Sequence, residues 1–175
     1  MVSLIYVFWM FVFLFGVIGW LRGWAKELLV AFSVIVALTI NFLLRTYAPI
    51  LKTLPETNTT LFWIRVIIVF TMVYFGYQTV ISIARLQAGS RRERLQDALF
   101  GIFLGAINGY LVAGTVWYYL DRAGYPFPNA IQTPTGDLAT KIAAMMAYMP
   151  PHLLGEPTIY FALVIVLVFI LVVYV

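Results

Sequence analysis

Residues 4–21 contain no charged side chain and are crowded with aliphatic and aromatic groups. A helix needs about 20 mostly apolar residues to cross the hydrocarbon of a bilayer. Runs of comparable length recur from about Leu28 to Leu44, Leu61 to Ala84, Ala98 to Leu120 and Thr158 to Val175. The expected fold is all-α, a polytopic integral membrane helical bundle of about five transmembrane helices.

The composition agrees. Hydrophobic residues make up 63% of the chain and charged residues 10%, against about 45–50% and about 25% in soluble domains. A soluble core of this size could not hide the excess. The net charge of +4 is small, and the one dense basic cluster lies between two apolar runs, which suits membrane topology and not a nucleic-acid face. With no cysteine, disulfides, thiolate metal sites and cysteine nucleophiles are excluded. The first run has no basic leader and no small-residue cleavage site, so it is read as a retained span.

The link Arg22-Gly23-Trp24-Ala25-Lys26-Glu27 is short enough to make the first two helices an antiparallel hairpin. Glu27 falls near the start of the second helix, where the dipole favours a negative charge. Residues 45–60 hold Pro49, Pro55 and Asn58-Thr59-Thr60, which is loop chemistry. Arg65 lies about one turn inside the third span, positioned to snorkel back to the interface or to serve as a buried functional charge. A basic link follows with Arg85, Arg91, Arg92 and Arg94. The fourth span closes on Trp117, Tyr118 and Tyr119, aromatics suited to an interface belt.

Residues 126–157 form an extramembrane loop. Within it Leu138, Ile142, Met145, Met146 and Met149 recur at three- and four-residue steps, predicting an interfacial amphipathic helix from Asp137 to Met149, stopped by Pro150-Pro151. Residues 158–175 make the additional transmembrane helix. At about 1.5 Å per residue it reaches about 27 Å, and the lack of a polar flank after Val175 predicts a chain that is processed or continues. The links after the first and third spans carry Arg22, Lys26, Arg85, Arg91, Arg92 and Arg94. The positive-inside rule therefore puts the N-terminus outside and the C-terminus in the cytoplasm.

Four glycines punctuate the fourth span. Gly101, Gly105 and Gly109 recur at four-residue steps and Gly114 follows, forming an expected bare stripe. Such a stripe lets another helix approach backbone to backbone. It serves packing within the bundle, a homo-oligomeric seam, or the lining of a path. Asn108 lies between two of these glycines and Asn41 near the end of the second span. A buried amide in lipid usually bonds across to a neighbouring helix, and Asn108 is the first candidate to line any polar path.

These residues carry a resemblance. Gly19-Trp20-Leu21-Arg22-Gly23-Trp24-Ala25-Lys26-Glu27-Leu28 resembles the first signature of the colicin V production protein family, and Asp97 with Gly101, Gly105 and Gly109 is similar to the second. The resemblance covers residues 1–125, read as a four-helix membrane core. The chain departs from the pattern in having Asn108 where a basic residue is frequent, and in its fifth span. The resemblance implies a bacterial inner-membrane accessory protein linked to toxin export or envelope maintenance, with Arg22, Gly23, Lys26, Glu27 and Asp97 as motif residues. Arg22 and Lys26 are expected to meet lipid phosphates or Asp97.

Other chemistry finds little support. The lone histidine, His152, is a candidate axial ligand for a haem- or chlorophyll-type ring, but the expectation is no cofactor and no metal, with only pigment or lipid contacts. No metalloprotease, serine-hydrolase or phosphate-loop motif is present. No acid falls inside the expected spans, and no internal repeat marks a secondary transporter. Three readings follow: a non-catalytic accessory factor; a structural subunit of a larger respiratory or photosynthetic complex; and a small oligomeric channel or transporter. Expected partners are membrane lipids and membrane proteins or further copies of the chain.

Overall fold

The computed structural model describes residues 3–78 and 91–174. Arg85 and the end of the expected third span lie outside them, as do the side chains of Arg91 and Arg92. The described residues are helical with no strand: α1 (Leu4–Arg22), α2 (Trp24–Tyr47), α3 (Pro49–Thr53), α4 (Thr59–Gln78), α5 (Arg91–Arg122), α6 (Gly136–Met146), α7 (Pro150–Leu153) and α8 (Thr158–Tyr174). Four helices, α1, α2, α4 and α5, are long and apolar enough to cross a membrane, and α8 is a shorter apolar helix. This is a helical membrane bundle.

The helix ends follow from local chemistry. Ser3 caps α1 by accepting from the Ile5 N–H. Gly23, at φ 84°, turns the chain at once, so α1 stops at Arg22 and α2 starts at Trp24. The expected six-residue link thus collapses to one glycine, and Trp24 to Glu27 become the first turn of α2. Pro49 opens α3, the position where its missing N–H costs nothing. The Asn58 side chain accepts from Thr60 N at 2.8 Å and Leu61 N at 3.2 Å, starting α4. With 32 residues, α5 is about 48 Å long, longer than a span requires, and its first turns project beyond the hairpin.

The helices pack antiparallel in sequence. Gly19 lies on Gly101 and Phe8 against Trp117, so α1 runs against α5. Asn41 meets Arg65 and Gly76 meets Ser33, so α2 runs against α4. Ring contacts Trp24–Phe169 and Phe42–Tyr160 run α8 against α2. One end of the bundle therefore carries Gly23, Tyr77 and Asp97, and the other carries Arg45, Glu56 and Arg122. These are called the Gly23 end and the Glu56 end.

The main core joins α2, α4, α5 and α8 through Val34, Leu38, Val66, Val69, Leu111 and Ile159. By contrast α1 buries only Phe8, Gly16 and Gly19 and exposes Tyr6, Trp9, Phe13 and Leu21, as suits a wall solvated by lipid. The amphipathic helix ends at Met146, before the two prolines, and Pro150 begins α7. Its apolar stripe meets protein: Ile142, Met146 and Met149 pack with Phe8 and Trp117, while Leu138 stays exposed. An amphipathic pattern records an apolar neighbour, and here that neighbour is the α1–α5 pair.

Candidate functional site

The Gly23 end gathers most of the residues singled out in the sequence. A Cβ on Gly19 would lie 2.9 Å from the Gly105 Cα, one on Gly101 3.0 Å from the Gly19 carbonyl carbon, and one on Gly109 2.8 Å from the Val12 Cα. Here α1 and α5 touch backbone to backbone, so α1 itself occupies the stripe. Gly114 does not belong to it. A four-residue step nearly repeats a helix face, but the five residues from Gly109 turn the helix by about 140°. Gly114 faces Met149 and Pro150 instead.

Asp97 projects from the overhang of α5 into the turn. Its Oδ1 accepts from the Trp24 N–H at 3.0 Å, capping α2 from another helix. A Cβ on Gly23 would collide with this carboxylate, 2.7 Å from Oδ1. Two needs therefore fix glycine there, the positive φ and the approaching acid. The expected pairing of Arg22 or Lys26 with Asp97 does not occur, because Asp97 is engaged by the helix start. Lys26 is half-buried and makes no ion pair among the described residues.

Arg22 turns inward and pairs with Glu27, Nη1 to Oε1 at 2.9 Å. Its guanidinium lies 4.2 Å from the centre of the Tyr77 ring and donates to the Tyr77 carbonyl. Glu27 is completely buried, within the α2 span. The helix takes this acid into its first turn because α2 begins at Trp24 and not near Leu28. Asn108, equally buried, donates from Nδ2 to Glu27 Oε2 at 2.7 Å and to the Glu27 carbonyl at 2.8 Å. A buried carboxylate is tolerated only when paired and hydrogen-bonded; Arg22 and Asn108 supply both. The Asn108 Oδ1 and the Tyr77 hydroxyl are buried without a hydrogen-bond partner among the described residues. Arg22, Gly23, Glu27, Asp97, Gly101, Gly105, Asn108 and Gly109 thus form one latch joining α1, α2 and α5.

The Glu56 end holds a second polar group. Arg65 binds the Glu56 carboxylate with both terminal nitrogens, at 2.6 and 3.2 Å. Arg45 meets the same carboxylate at 3.2 Å and donates to the Leu51 and Leu54 carbonyls. The Asn41 amide donates to the Arg65 carbonyl at 3.3 Å, and the Tyr119 ring lies beneath the Arg65 guanidinium. Burial opposes the charged form of Glu56. The hydrogen bonds and charge of Arg65, with the charges of Arg45 and Arg122, outweigh it and hold the carboxyl below its usual range. Sequence reasoning missed Glu56; the signal available was a lone acid in a loop flanked by Arg45 and Arg65.

His152 stands apart, exposed on α7. Among the described residues, no cluster of histidine, aspartate and glutamate has the makings of a metal site. No curated protein and no solved structure matches the chain. The family described as Colicin V production protein matches residues 5–135, a stretch that includes the whole latch and stops before α6. The convergence of both signatures on one buried junction agrees with that match, and the chain belongs to the colicin V production protein family.

Proposed function

We propose that this chain is a non-catalytic accessory protein of the bacterial cytoplasmic membrane that supports toxin export or envelope homeostasis. The observation that carries this reading is the latch at the Gly23 end. Residues of both family signatures are spent on joining α1, α2 and α5, and the glycine stripe is filled by the chain's own α1. That is the design of a scaffold whose outer walls meet lipid and partner proteins. The basic links, read by the positive-inside rule, support an orientation with the Gly23 end in the cytoplasm and the N-terminus outside.

Deletion and complementation test the reading. Loss of the protein is expected to reduce secretion of a peptide toxin or to raise envelope permeability to a dye. The wild-type chain should restore the lost property. Gly23→Leu, which collides with Asp97, should not, even at matched levels in the membrane. Unchanged secretion and permeability on deletion would overturn the proposal.

A further inference from the structure

A cavity of about 280 Å³ opens at the Glu56 end, lined among others by Arg45, Arg65, Arg122 and Glu56, with Leu38 and Phe42 on its apolar side. We propose that it binds a phosphate group, carried either by a glycerophospholipid headgroup or by a soluble phosphate.

The charge balance points to an anion. Three arginines from three helices surround one carboxylate, so two positive charges stay uncompensated. Glu56 occupies Arg65 through both of its terminal nitrogens and Arg45 through Nε. Arg122 is exposed and forms no ion pair among the described residues; its guanidinium lies 5.1 Å from the centre of the Tyr118 ring. That stacking holds the charge at the cavity while leaving its donors free. Arginine forks match the oxygens of phosphate. Arg122 from α5 offers its free fork to the phosphate oxygens, and the charges of Arg45 on α2 and Arg65 on α4 add to the positive field around it.

The second argument is depth. The cavity lies where α2 and α5 finish and α4 begins, beside Tyr118 and Tyr119. Aromatic residues of this kind sit at headgroup level, where lipid phosphates lie. Leu38, Phe42 and Leu154 continue the wall toward the apolar part of the bundle, a surface suited to the start of an acyl chain. A purely soluble ion would not need that wall.

The full chain in mild detergent is examined by native mass spectrometry with phosphatidylglycerol, and by titration calorimetry with inorganic phosphate and glycerol 3-phosphate. Saturable binding is expected, weakened about tenfold in Arg122→Gln, the scale of one charge-assisted hydrogen bond. Lys52→Gln removes an equal charge from the same end but outside the cavity, and should leave affinity unchanged. Arg122→Lys keeps the charge without the fork and should lose about threefold; it carries the test if Arg122→Gln fails to fold. Saturation by either soluble phosphate, with the same Arg122 dependence, assigns the site to a soluble ligand; saturation by the lipid alone assigns it to a headgroup. No saturable binding, or an equal loss in the Arg122 and Lys52 variants, overturns the proposal.

Discussion

Replacing Asn108 by leucine keeps its approximate volume and deletes both donors to Glu27. The loss can be worked from the contacts. The bond to the carboxylate at 2.7 Å is charge-assisted and the one to the carbonyl at 2.8 Å is ordinary. Such bonds contribute about 1.5–3 and about 0.5–1.5 kcal/mol in soluble proteins, and hydrogen bonds between membrane helices often contribute less, about 0.6–2 kcal/mol. Asn108→Leu should therefore destabilise the bundle by about 2–3 kcal/mol, a shift of about 30- to 150-fold in the unfolding equilibrium. Part of the cost is the carboxylate left with Arg22 alone. Equilibrium unfolding in mixed micelles, followed by tryptophan fluorescence, measures it. The double variant with Glu27→Leu supplies the cycle: once Glu27 is gone, the Asn108 substitution should cost under about 1 kcal/mol. Equal costs of Asn108→Leu with and without Glu27 would refute the latch as the source of the effect.

Three further outcomes follow from the same geometry. The chain has no cysteine, so Gly16→Cys with Ala106→Cys, at positions in van der Waals contact, should cross-link α1 to α5 on oxidation, and Gly105→Leu should abolish the cross-link. Asp97→Ala should cost about 1 kcal/mol as a lost helix cap, and Asp97→Asn much less, both read by micelle unfolding. The Glu56 carboxyl is held below its ordinary range, so its stabilisation is present above the unfolded pKa and is lost as pH falls through the depressed folded value. Since the side chain is 43% exposed, the contribution is at most about 1 kcal/mol, and Glu56→Gln should flatten the stability profile below about pH 4.5.

The spans were legible because lipid demands long unbroken apolar runs, and little else produces them. Their ends were less so. Trp24 to Glu27 read as a link because three of the residues from Arg22 to Glu27 are charged. Nothing local shows that an aspartate from α5 would cap Trp24 and bring Glu27 inside. The four-residue period gave the stripe on α5, but its occupant went unread. The signal was there: Gly16 and Gly19 lie three residues apart on α1, and Gly23 follows four residues on at its end, matching small residues to small residues. The amphipathic face of α6 was visible, yet Ile142 and Met146 look the same whether lipid or Phe8 covers them. The Glu56 cluster joins a loop acid to arginines of three helices, a convergence that only the tertiary fold creates.

Glu27 and Asn108 meet inside the bundle, and the latch depends on that contact. Solid-state NMR of the chain in phospholipid bilayers, with the asparagine side-chain nitrogens and glutamate carboxyl carbons labelled, measures that contact directly. From the 2.7 Å hydrogen bond, a nitrogen–carbon separation under about 4 Å is expected for Asn108 and Glu27, lost in Asn108→Leu. A separation beyond about 6 Å would mean that the two signatures do not close on each other, and the latch would be wrong.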